Sequence, residues 1–220
     1  PSWSSAASDV YKRQKLVSNN STLVGCRIPG NKLAKKLITL FDLPIAAPSA
    51  NLSERTSVTN IMDIDPILVK KIFVLKDKQS SHGLESTVVR IDTNNEIEVL
   101  RYGSITVEEL NKYAKVKIKK KSSISPGNLK KHYSTLKPIR MNAKRILKNE
   151  GLLNFGNNKL KSKIINLNLS NKKNLNEAAK NFYHYLHKLD QSRCKKIAVV
   201  EIPDKGLGKT INDRLRRAIK

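Results

Sequence analysis

Residues 197–219 read IAVVEIPDKGLGKTINDRLRRAI. Four consecutive apolar residues open the stretch and predict a strand over Ile197–Ile202. Pro203 and Gly206 punctuate the chain, and a helix is predicted over Ile211–Ile219, where Ile211, Leu215, Ala218 and Ile219 recur at helical spacing. Upstream, Ile164–Leu169 reads as a strand and Asn174–Leu189 as an amphipathic helix. The order strand–helix–strand–helix favours a small parallel or mixed sheet with helices packed on it. Gly208-Lys209-Thr210 looks like the end of a phosphate-binding P-loop. That motif needs a glycine at position 203, which is proline, so the P-loop reading fails.

The earlier part of the chain is also α/β. Thr22–Ile28 is a short apolar run predicted to be a strand, ended by Pro29-Gly30. Asn31–Phe41 places Leu33, Leu37, Leu40 and Phe41 on one helical face and Lys32, Lys35 and Lys36 on the other. Pro44–Ala50 is apolar but broken by Pro48 and too short for a helix. Ile72–Leu75, Ser86–Ile91 and Ile97–Leu100 read as strands, the last two joined as a hairpin through Asn94-Asn95. Thr106 followed three residues later by Glu109 is a capping-box signature. Residues 111–149 then hold thirteen Lys or Arg and no acid, with a turn-like Ser122–Gly127, and form the best linker candidate. The first fourteen residues, PSWSSAASDVYKRQ, show no apolar periodicity. They read as an artefactual or disordered leader and are set aside.

Composition narrows the classes. The chain has 220 residues, enough for a sizeable core in one or two domains, and 39% of them are hydrophobic, which argues against wholesale disorder. No run of 18 apolar residues is present, so no helical membrane span is expected. Cys26 and Cys194 have neither disulfide-scaffold nor zinc spacing, and a reducing, cytoplasmic setting is the default. The net charge of +25 admits two readings. One is attraction of a polyanion such as nucleic acid. The other is lysine as the ordinary solvated residue of a chain also rich in Asn and Ile, and that reading is favoured for the charge as a whole.

Several short stretches carry groups suited to binding anions. Arg27 in LVGCRIP is a guanidinium beside apolar residues, fit either for a structural ion pair or for a carboxylate. Ser49, Asn51, Ser53, Ser57 and Thr59 supply short polar side chains that either cap the backbone or donate to phosphate oxygens. GLESTVV places Ser86 and Thr87 at the start of a predicted strand, after a glycine that allows close backbone approach. Arg101 ends another strand before Gly103. Gly127, Asn128, His132 and Tyr133 lie in the basic linker.

Taken in order, CRIP, APSANLS, GLESTVV, LRYGSI, SPG and KHY resemble the YrdC/TsaC-like threonylcarbamoyl-AMP synthases. GLGKTINDRLRRA is similar to the hallmark of the extra domain in the longer, two-domain members. The resemblance spans residues 21–220. Its implied fold is the C-terminal half of a YrdC-like twisted mixed sheet with helices over residues 15–115, an active-site-covering linker over 116–148, and a small Rossmann-like α/β domain over 149–220.

Its implied activity is condensation of L-threonine, bicarbonate and ATP, with magnesium, into threonylcarbamoyl-adenylate and pyrophosphate. That product serves t6A37 modification of ANN-decoding tRNAs, with tRNA and downstream threonylcarbamoyl-transferase proteins as partners. Carried over by motif, Arg27, Ala47, Ser86 and Thr87 would bind threonine. Leu23, Ser49, Asn51, Ser57, Arg101, Gly127, Asn128, His132 and Tyr133 would bind ATP. No protein metal site and no catalytic group distinct from substrate binding are implied. Asn212, Asp213 and Arg214 would stabilise the second domain and its docking.

Glu54, Lys76–Ser81 and Asn128 depart from the family pattern and affect loop geometry. The resemblance implies a synthase domain that begins well before the Arg27 segment, with a Lys-Arg motif that helps bind ATP, and that half is expected to be missing here. The chain is therefore expected to be an N-terminally truncated fragment, poorly soluble and inactive alone. The competing expectation is a non-catalytic RNA-binding YrdC-like module, which the basic linker suits but the low aromatic content does not.

Overall fold

A computed structural model describes residues 23–47, 50–51, 55–75, 80, 82–118 and 134–219. The leader, Ser49, and the Gly127, Asn128, His132 and Tyr133 positions lie outside the described residues. The chain divides into two compact units, Pro1–Ser49 and Ala50–Lys220.

In the first unit, the strand expected over Thr22–Ile28 does not form: residues 23–29 have no regular structure. A strand exists only by pairing, and no described segment pairs with it. Helix α1 spans Lys32–Phe41, as the apolar periodicity predicts. Asn31 caps it, its side chain accepting from the Ala34 amide at 2.8 Å. Asp42 ends it in the left-handed conformation at φ 52°. The helix buries none of its residues.

The second unit contains two sheets. After a short 3-10 turn (Ile61–Asp63) and the single turn α2 (Pro66–Val69) come β1 (Val88–Ile91) and β2 (Ile97–Arg101). These pair antiparallel from Ile91↔Ile97 to Val88↔Arg101. Asp92 closes their turn by accepting from the Asn94 and Glu96 amides, and Asn95 takes φ 56°. The strand predicted at Ile72–Leu75 is absent: residues 73–75 have no regular structure, and Phe73 is exposed.

Helix α3 (Val107–Leu110) carries both halves of the Thr106–Glu109 capping box. β3 (Val116–Ile118) then pairs parallel with β2. The linker expected over 116–148 therefore starts as a strand, because Lys117 finds Glu96 and Asp92 beside it. It also ends in the second sheet, as β4 (Ile139–Arg140) with Ile139 buried.

The second sheet runs β4-β7-β5-β6 and is wholly parallel, with β5 at Glu150–Asn154, β6 at Asn166–Asn168 and β7 at Lys196–Val199. α4 (Leu175–Gln191) joins β6 to β7, and α5 (Leu207–Ala218) follows β7. Asn174 caps α4 through the amides of Asn176 and Glu177. α4 buries Ala178, Ala179, Phe182, Tyr183, Leu186 and Leu189. These pack with Leu152, Leu153, Ile197, Val199, Ile211 and Leu215 in one core. Gly208 explains the P-loop-like sequence: a Cβ there would stand 2.0 Å from the Pro203 carbonyl oxygen, so the glycine serves backbone packing.

Candidate functional site

The GLEST segment is where the two sheets meet. Gly83 (φ 65°) lies so close to α4 that an added Cβ would be 2.2 Å from the Ala179 carbonyl oxygen. Its close approach is thus to a helix, whereas the sequence suggested a ligand. Leu84 inserts into the core of the second sheet and its helices. Glu85 follows. One of its carboxylate oxygens accepts from the Ser57 hydroxyl and from the Tyr183 hydroxyl at 2.5 Å. The other accepts from Arg214 Nε at 3.1 Å. Burial pushes the Glu85 carboxyl up, but the Arg214 charge and the two hydroxyls together outweigh it and hold the group below the usual carboxylate range.

Arg214 is fully excluded from solvent. Its Nη2 donates to the Tyr102 carbonyl at 2.5 Å and its Nη1 to Asp213 at 2.5 Å. On the same helix, Thr210 donates its hydroxyl to the Gly103 carbonyl at 3.0 Å.

These contacts hold two segments that already grip each other. Arg101 Nη2 donates to the Ser86 carbonyl at 2.8 Å, and the Ser104 amide donates to the Glu85 carbonyl at 2.8 Å. The Thr87 hydroxyl donates to the Ile105 carbonyl and accepts from the Ile105 amide. Residues 56–63 dock on α4 in parallel. The Thr56 hydroxyl lies 3.1 Å from His187 Nε2, and Asp63 pairs with His184 at 2.9 Å.

Of the residues singled out by sequence, the structure joins Arg101 directly to Ser86, ties Thr87 to the Ile105 backbone, and links Ser57 to Glu85, the residue before Ser86. Asn51 donates to the Arg55 carbonyl at 3.2 Å. Leu23, Arg27 and Ala47 belong to the first unit and are exposed there. Tyr183 was missed as a partner of Glu85, and His187 and His184 as partners of Thr56 and Asp63. Their only sequence signal is a place on one amphipathic helix, which does not say what that helix faces. Among the described residues, no group of three or more His, Cys, Asp or Glu side chains could hold a metal ion. No described helix is long and apolar enough to cross a membrane.

A mixed sheet and a parallel sheet flanked by helices, held together through buried side chains within one compact unit, define an α/β protein. The family model described as threonylcarbamoyl-AMP synthase, C-terminal domain, matches residues 105–219, and the one described as telomere recombination matches residues 5–103. The chain belongs to the threonylcarbamoyl-AMP synthase family, in its two-domain form.

Threonylcarbamoyl-AMP synthase of Pyrococcus abyssi is 25% identical over 232 residues, covering 93% of this chain and 66% of that protein. The Bacillus subtilis protein of the same name is 28% identical over 223 residues, covering 89% and 62%. The crystal structure of P. abyssi Sua5 complexed with L-threonine superposes with a TM-score of 0.80 at 24% identity, covering 93% of this chain and 66% of that one. That likeness shows a shared fold. The chain thus spans less than two thirds of the length of these relatives.

Proposed function

We propose that the protein acts in threonylcarbamoyl-AMP synthesis, as a nucleotidyltransferase that joins L-threonine, bicarbonate and ATP and releases pyrophosphate. The threonine amine and bicarbonate give a carbamate with loss of water, and a carbamate oxygen then attacks the ATP α-phosphorus, breaking its bond to the bridging oxygen so that pyrophosphate leaves. Such a reaction asks the protein for positioning and charge neutralisation rather than for a nucleophile and a base. Arginines, hydroxyls and backbone amides suffice, with magnesium entering on the ATP phosphates rather than in a protein cage.

The observation that carries this reading is the junction of residues 85–87 with 101–105, where Arg101 and Ser86 are joined at 2.8 Å. In this reading Ser86 binds threonine and Arg101 meets the nucleotide, while the Thr87 hydroxyl, committed to the Ile105 backbone, shapes the loop beside them. Arg27 and Ala47 add the carboxylate and backbone contacts to threonine. Leu23, Ser49, Asn51, Ser57, Gly127, Asn128, His132 and Tyr133 serve ATP. The product goes to tRNA and a downstream transferase in the cytoplasm.

The test is threonine-dependent pyrophosphate release from ATP. Arg27→Ala is expected to raise the threonine KM by about tenfold or more, since a bidentate guanidinium–carboxylate contact is lost. An unchanged KM would remove the assignment.

A further inference from the structure

Arg214 sits on α5, far along the chain from the residues that would touch substrate, yet its side chain touches the neighbours of two of them. Its Nε holds the Glu85 carboxylate and its Nη2 holds the Tyr102 carbonyl. Glu85 directly precedes Ser86, and Tyr102 directly follows Arg101. The same helix adds Thr210 on the Gly103 carbonyl. The guanidinium is a rigid planar fork, so its donors fix the two acceptors at a set distance and angle from one another.

We infer that Arg214 is a positioning residue for the threonine and nucleotide contacts, setting through Glu85 and Tyr102 where Ser86 and Arg101 stand. The inference rests on the reading of Ser86 and Arg101 as substrate-binding groups.

Stability alone is a poor reason for this arrangement. A buried ion pair is often no more stabilising than apolar residues of the same size, whereas removing one partner strands the other. What the pair supplies beyond stability is orientation. Without Arg214, Glu85 becomes a carboxylate with no buried cation and turns towards solvent. Ser57 and Tyr183 then lose their shared acceptor, and both site segments relax. A displacement of about 1 Å at a reacting group is enough to cost about a hundredfold in rate. The parallel α/β domain, by this argument, is part of the synthase site rather than an appendage to it.

The experiment uses the whole protein and the variants Arg214→Met, Arg214→Lys and Arg214→Met/Glu85→Gln. Arg214→Met is expected to speed amide exchange across residues 85–104 by about tenfold while residues 150–199 stay protected. It should also raise the threonine KM about tenfold with a smaller change in kcat. Lysine, which keeps the charge but not the fork, should recover only part. The double variant removes the stranded carboxylate and should regain the thermal midpoint while the threonine KM stays raised.

Recovery of both midpoint and KM in the double variant would reduce Arg214 to a structural role and overturn the inference, as would unchanged exchange over 85–104 in Arg214→Met. If the wild-type protein shows no threonine-dependent pyrophosphate release, the functional reading falls, and amide exchange alone decides whether Arg214 fixes the two segments.

Discussion

Glu85 gathers donors from three places in the chain: Ser57, Tyr183 and Arg214. Burial alone would raise its pKa, but the positive neighbour and the hydroxyls prevail, so the folded carboxyl titrates below its ordinary value of 4.5. A group whose folded pKa is depressed stabilises fully above the unfolded value and loses that contribution as pH falls through the folded one. The contact between the GLEST segment and α5 should therefore be intact at neutral pH and weaken on the acid side of 4.5. Glu85→Gln removes the titrating group. Its thermal midpoint should be lower than wild type at neutral pH, and the two midpoints should converge as the buffer is made acidic. Parallel curves would mean that Glu85 is not the linked group. At the same scale, the phenol of Tyr183 is a buried donor to a charged acceptor. Tyr183→Phe is expected to cost about 1.5–3 kcal/mol in urea unfolding, and a loss within error would show that Glu85 does not need this hydroxyl.

Among the elements, α3 shows how local chemistry fixes a start point. The Thr106 hydroxyl accepts from the Glu109 amide at 3.2 Å, and the Glu109 carboxylate accepts from the Thr106 amide at 2.7 Å. Thr106→Ala should cost about 1 kcal/mol, read by urea unfolding; no change would show that the tie between Thr87 and Ile105 already fixes this turn. Features of this kind were legible in the sequence because all their partners lie within a few residues. The same is true of the turn at Asn94-Asn95, where Asn95 takes φ 56°. Features that depend on distant partners were not. Thr22–Ile28 and Ile72–Leu75 have the composition of strands, but composition does not provide a neighbour to bond. The reverse error hid β5, whose Glu150 and Asn154 look wrong for a buried strand. Arg140 takes both oxygens of Glu150, and Asn154 bonds Asn158 and the Phe155 amide, so both polar ends are satisfied inside. β3 was hidden in a basic run for the same reason: its acids come from the β1–β2 turn. At the candidate site the motif residues could be read directly, but the side chains that hold them lie 98 and 129 positions further on, at Tyr183 and Arg214.

For the molecule as a whole the dominant quantity is charge, 43 basic against 18 acidic residues. Some of the attractive pairs among the described residues are weakly placed: Arg216 and Asp204 are 3.5 Å apart with more than half of each side chain exposed. Self-repulsion among the remaining cations outweighs such pairs, and it acts over the Debye length, about 10 Å at 0.1 M salt and about 3 Å at 1 M. Adding sodium chloride should therefore raise the thermal midpoint, because it screens a repulsion spread over the surface while barely reaching the Arg214–Glu85 contact, whose guanidinium is sealed from solvent. Chloride is the right anion for this test, since sulfate or phosphate would also occupy any site built for nucleotide phosphates. The expected result is a midpoint that climbs with chloride at neutral pH, with the separation between wild type and Glu85→Gln preserved at each concentration. A midpoint that falls with chloride would mean that surface ion pairs outweigh the repulsion. A separation that closes with chloride would mean that the Glu85 pair is open to solvent, and the α/β domain would then lose its hold on the GLEST segment.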